Sequence, residues 1–144
     1  MDSGILTRSE IEEIIPHAGG MCLLEGVLHY SETEITCMTS SHLLDDNPLK
    51  KGKTLSNMHL IEYGAQSIAI HGGLLERNLS SPRIGYIATI KSVKWGRFNP
   101  LTPFLKVESK ALVTDDISKL YTFHITDSDK QFICSGRVMV VHPF

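Results

Sequence analysis

From Met58 to Leu74 the chain is apolar at most helical spacings. Met58, Ile61, Ala65, Ile68 and Ala69 recur three or four residues apart, and Leu60 and Ile70 widen the stripe. Ser56 stands as N-cap, and Gly72-Gly73 weakens the helix toward its end. A helix this apolar is predicted to be wrapped by other structure. Glu62 in its first turn is then either a buried acid with chemical work or a solvated carboxylate that favours the helix dipole.

Around this helix the pattern changes period. Thr7-Arg8-Ser9-Glu10 is a capping box that opens a short helix with Ile11, Ile14 and Ile15 on its apolar face, ended by Pro16. Met21 to Tyr30 and Thr33 to Ser40 read as two strands joined by a reversal at Ser31-Glu32. Residues 41–55 form a polar loop with turn chemistry at Asp45-Asp46-Asn47-Pro48 and Lys51-Gly52-Lys53. After the long helix, Ile84 to Trp95, Phe104 to Val113, Leu120 to Ile125 and Phe132 to His142 are rich in strand formers. Their short connections demand antiparallel pairing. The expected architecture is α+β: one long helix wrapped by a curved antiparallel sheet of about six strands. Six strands cannot cover the helix fully, so two such units pairing side by side is the expected remedy.

Composition narrows the field. A chain of 144 residues is read as a single domain, 1–144, able to bury a real core. A net charge of −2 carries no nucleic-acid footprint. No apolar run reaches membrane-spanning length, and Met1 to Glu10 lacks the apolar core of a signal peptide. Cys22, Cys37 and Cys134 are an odd set without paired or zinc-type spacing, so buried free thiols and a cytoplasmic location are expected. Lys50, Lys51 and Lys53 form a small basic cluster, either a solvated loop or a contact for an acidic partner.

Seven stretches carry a family resemblance. Ile15-Pro16-His17 through Met21-Cys22-Leu23-Leu24-Glu25 resembles the "L-P-H-x-x-x-M-x-L-L-D" opening of 3-hydroxyacyl-acyl-carrier-protein (ACP) dehydratases. Ile61-Glu62-Tyr63-Gly64-Ala65-Gln66 resembles their central-helix "L-E-x-x-A-Q". Ser41-His42, Asp46 to Lys50, Ala69 to Gly72, Arg83 to Ile87 and Tyr121-Thr122-Phe123 are similar to the dehydratase-like hotdog proteins of aryl-polyene-type lipid clusters. The resemblance implies that the wrapped helix and its sheet form a hotdog fold, and it implies dehydration of 3-hydroxyacyl groups on ACP to trans-2-enoyl thioesters. It implies a phosphopantetheine-linked substrate (on ACP or CoA), no metal or other cofactor, and a homodimer, a higher oligomer or a hetero-oligomer with another hotdog protein. An acyl-thioester hydrolase and a non-catalytic partner subunit are the rival readings.

The resemblance puts the family's acid on Glu62. The catalytic His that fatty-acid dehydratases carry in "H-F-P-G-x-P" falls on Pro48, so the usual His/Glu pair is absent from this chain. Asn47, beside it, either orients a water or makes an Asx turn. His42 is either a relocated base or a strand-end side chain bonded to backbone. His59, three residues before Glu62, can share its face, whereas His71 lies nine positions after it and points elsewhere. His17 reads as structural. Gly64 implies close approach of a strand, a partner helix or an acyl chain, and Gln66 a bond to backbone.

Overall fold

The computed structural model describes residues 6–15, 22–50, 55–77 and 85–142. His17, Lys51, Lys53, Arg83 and the turn at Ala18-Gly19-Gly20 lie outside them. The order is β1 (Leu6–Thr7), α1 (Arg8–Ile14), β2 (Gly26–Tyr30), β3 (Glu34–Thr39), α2 (Leu60–Glu76), β4 (Tyr86–Trp95), β5 (Leu105–Thr114), β6 (Ser118–Thr126) and β7 (Phe132–Val141). The capping box forms as written: Thr7 Oγ1 accepts from Glu10 N, and Glu10 Oε1 accepts from Thr7 N at 3.0 Å. Ser56 caps a 3-10 turn over Asn57–His59 that feeds α2, rather than capping α2 itself.

The strands form one antiparallel sheet in the order β1-β2-β3-β5-β6-β7-β4. That is seven strands where about six were expected; the addition is β1, too short for a period-two pattern to register. β4 does not pair with its sequence neighbour β5. Residues 96–104 carry the chain back past two strands, leaving β4 at the edge beside β7. Among the described residues no helix is long and apolar enough to cross a membrane.

Helix α2 packs on β3, β5, β6 and β7. Most of the apolar stripe read from spacing is buried: Leu60, Ala65, Ile68 and Ile70 lie in the interior and Ile61 packs against it, while Met58 and Ala69 fall outside. Leu60, Tyr63, Gly64, Ser67, Ile70, His71 and Leu74 point inward, while Met58 is 69% exposed and Glu62 and Ala69 are exposed. Small and polar residues join the apolar ones on the inner face because the sheet comes so close. A Cβ on Gly64 would stand 2.5 Å from the Phe123 ring of β6, and one on Gly136 of β7 would stand 2.8 Å from the same ring. Gly64 therefore marks close approach of a strand, one of the options its position implied. Ser67 Oγ meets Ser109 Oγ of β5, and His71 Nδ1 meets Tyr121 Oη of β6 at 2.6 Å. All three cysteines are buried free thiols, and burial alone pushes Cys37 up to about 12.

Two glycine substitutions separate these effects. Gly64→Ala is expected to destabilise by about 1–3 kcal/mol through overpacking against Phe123. Gly72→Ala, with nothing within 4 Å of its Cβ, is expected to stabilise by up to about 1 kcal/mol through helix propensity. Urea unfolding midpoints that move in the same direction for both variants would defeat this account.

Candidate active site

The start of α2 and the loop after β3 meet in a buried polar knot. Tyr63 is fully buried, and its hydroxyl lies 3.1 Å from Ser41 Oγ and accepts from Asn47 Nδ2 at 3.0 Å. The second Nδ2 hydrogen of Asn47 goes to the Ser41 carbonyl at 2.9 Å, and its Oδ1 accepts from Leu49 N at 2.9 Å. That last bond is the Asx turn that the Asn47-Pro48 pair suggested. Ser41 Oγ also donates to the Leu23 carbonyl at 2.6 Å, tying the knot to the segment that leads into β2. Burial raises the Tyr63 pKa, so its hydroxyl stays neutral and bonded.

His42 follows Ser41 on a 3-10 turn over Ser41–Leu43 and is only 2% exposed, more deeply set than a strand-end histidine was expected to be. The turn closes back onto the sheet and draws the ring under the segment around Phe98 and Thr102. Nε2 lies 2.6 Å from the Thr102 carbonyl, and only N–H can bond there, so Nε2 carries the proton. Nδ1 then presents a lone pair, and it is a buried atom with no partner. Burial lowers the His42 pKa, against the opposing effect of the Thr102 bond. The imidazole is neutral at physiological pH, as a proton acceptor must be.

Glu62 stands in the first turn of α2, one residue from Tyr63, and is exposed in this chain. The expected buried acid is thus not buried by its own chain: its side chain lies on the side of the helix that the sheet leaves open. His59 is half-buried at the N-cap with Nδ1 unpartnered. Gln66 Oε1 accepts from Leu23 N at 2.9 Å, the backbone bond expected of it. His71 is fully buried between Tyr121 Oη and the Ser31 carbonyl, 2.8 Å from Nε2, and takes no part in this end of the helix.

The structure therefore gathers Asn47, the turn carrying His42, and the residue beside Glu62 around Ser41 and Tyr63. Neither Ser41 nor Tyr63 is singled out by sequence reasoning. The signal available was their place inside the two resembling stretches.

Residues 9–144 match the ApeP dehydratase family over nearly the whole chain. The chain belongs to the ApeP-like dehydratase family. Among solved structures it is similar to a dehydratase heterocomplex, ApeI:P, from Xenorhabdus doucetiae, at 19% identity and a TM-score of 0.76, covering 93% of this chain and 91% of that one. It also shares its fold with a hypothetical thioesterase with coenzyme A from Streptococcus pneumoniae TIGR4, at 10% identity, TM-score 0.64 and 81% and 84% coverage. Thioesterase HI1161 from Haemophilus influenzae matches at 11% identity, TM-score 0.67 and 94% and 90% coverage. No curated protein matches it in sequence. The family match thus spans the knot, the helix start and the sheet together, and the fold is the hotdog fold.

Two outcomes test this geometry. Tyr63→Phe leaves an Asn47 donor and the Ser41 hydroxyl short of a partner and is expected to lower unfolding free energy by about 1–3 kcal/mol. His42 and His71 both have pKa values lowered by burial, below the ordinary 6.5 that they recover on unfolding. The unfolded chain then binds more protons, so their stabilisation is complete above pH 6.5 and is lost as pH falls through the lowered values. Chemical denaturation from pH 8 to pH 5 should show stability falling below about 6.5, with a smaller fall in His71→Gln. Stability flat across that range would remove the neutral buried histidines from the account.

Proposed function

We propose that this chain dehydrates 3-hydroxyacyl groups held as thioesters on acyl carrier protein, giving the trans-2-enoyl thioester and water in lipid or aryl-polyene-type biosynthesis. It does so in a site completed by a second hotdog chain. The observation that carries this reading is the position of Glu62. It projects from the open face of α2, along which Met58 and Ala69 are also exposed. Next to β7, on which α2 packs, lies the uncovered edge strand β4. Ile87, Ile90 and Trp95, opposite core residues Val140, Val138 and Cys134, are 45%, 39% and 43% exposed. A second chain laid along β4 and α2 would cover both surfaces and enclose Glu62. Membership of a dehydratase family, and likeness to a complex of two dehydratase chains, support the same arrangement.

The reaction moves two protons. One leaves the carbon beside the thioester carbonyl, and one joins the departing hydroxyl. Glu62 is the proton-transfer group that this chain contributes. Asn47 holds the loop behind it through Ser41 and Tyr63, and His42, with its free Nδ1, is the proton acceptor nearest in sequence to that knot. The chemistry needs no metal or redox group, because the phosphopantetheine arm arrives on the substrate. A cytoplasmic site of action suits three unpaired cysteines.

Intact mass spectrometry of a 3-hydroxyacyl carrier protein tests this. The full chain, alone and co-purified with a dehydratase-type hotdog partner, should remove one water, and Glu62→Gln should slow that step at least about 100-fold. Release of the whole acyl group would reassign the chain as a thioester hydrolase. Turnover by the pair that is indifferent to Glu62→Gln would make it a non-catalytic partner.

A further inference from the structure

The same edge strand carries a charge pattern on its other side. Lys91 of β4 stands directly opposite Arg137 of β7, and Lys94 opposite Ser135, on the side of the sheet turned away from α2. Lys91, Lys94 and Arg137 are all exposed. Like charges facing each other across a strand pair repel. No carboxylate relieves them: among the described residues none forms an ion pair with these three. The next positions across the sheet from Arg137 and Lys94 are Thr122 and His124, and carboxylates on that side begin only with Glu108 of β5 and Glu34 of β3.

Pairing two copies of this chain through β4 would compound the repulsion. Antiparallel strands that keep Ile87 and Ile90 on the helix side, in a register centred on the strand, set Lys91 either directly opposite its counterpart or diagonal to it, within about 8 Å. Two lysines and two arginines would then sit across four adjacent strands. An edge strand bearing Asp or Glu at those outer positions would convert every one of these contacts from repulsion to attraction.

We propose that the outer face of β4, through Lys91 and Arg137, selects against a second copy of this chain and in favour of a dissimilar hotdog chain with an acidic edge. This rests on the reading of β4 as the seam between chains. Repulsive contacts against the wrong partner are how an interface of common shape gains specificity.

The test needs only this chain and its own variant. Full-length wild type is mixed with Lys91→Glu/Arg137→Glu, and native mass spectrometry reads the three possible dimers. The ratio of the mixed dimer squared to the product of the two like dimers is expected about tenfold above its value for random pairing. Self-association of the wild type should strengthen as salt screens the seam. It should strengthen also in Lys91→Gln/Arg137→Gln, whose changes sit on the exposed surface and whose fold is checked by circular dichroism. A random dimer distribution, or no mixed dimer at all, overturns the proposal and leaves the lysines as guards against edge-to-edge aggregation. No activity enters the readout, so its failure is separate from failure of the dehydratase reading.

Discussion

Everything at the functional end of this molecule depends on how closely α2 lies against the sheet. The Phe123 ring is held between Gly64 of the helix and Gly136 of the neighbouring strand, a fit that admits no further carbon on either side. Two directional contacts, Ser67 to Ser109 and His71 to Tyr121, then set the rotation and register of the helix on that surface. A shift by one turn would break both and leave their buried hydroxyls and imidazole unpaired, which is costly in a dry interior. With rotation set on the inner side, the outer side is set too. Glu62 projects where it does because Gly64, Ser67 and His71 cannot face anywhere else.

The loop that approaches Glu62 is positioned by a different device. Ser41, Asn47 and Tyr63 exhaust one another's hydrogen-bonding capacity, and Leu23 and Leu49 take what remains. Asn47 thus performs a framework task beside Pro48, the position onto which the resemblance puts the histidine of the fatty-acid dehydratases. The chemistry available to the chain is shaped by that exchange. A side chain engaged on three sides steadies the loop, and under the proposed function proton transfer would fall to Glu62 and to whatever faces it.

How much of this was legible in the residues depends on what each pattern reports. The capping box at Thr7 and Glu10, the long helix and the strands from β2 to β7 follow from local rules and form within a few residues of where those rules put them. Which side of α2 is buried follows only in part. Hydrophobic spacing correctly selects Leu60, Ala65, Ile68 and Ile70, but it also selects the exposed Met58 and Ala69 and passes over the buried Gly64, Ser67 and His71. Spacing measures affinity for an apolar surface and cannot say whether that surface belongs to the same chain. β1 escapes notice because two residues carry no period, and the pairing of β4 with β7 because a nine-residue connection is compatible with either topology. At the site, Glu62 and Asn47 are marked by resemblance, whereas Ser41 and Tyr63 matter through contacts that span sixteen to twenty-two positions.

The uncovered strand β4 has a consequence for the life of the protein in the cell. An edge with free backbone groups, flanked by Ile87, Ile90 and Trp95, is the kind of surface that chaperones hold and proteases survey. A chain made in excess of what covers that edge would be the one removed. Where a second chain covers that edge, as proposed above, the supply of that chain would set how much of this one persists, tying the stoichiometry of the pair to quality control instead of to matched expression.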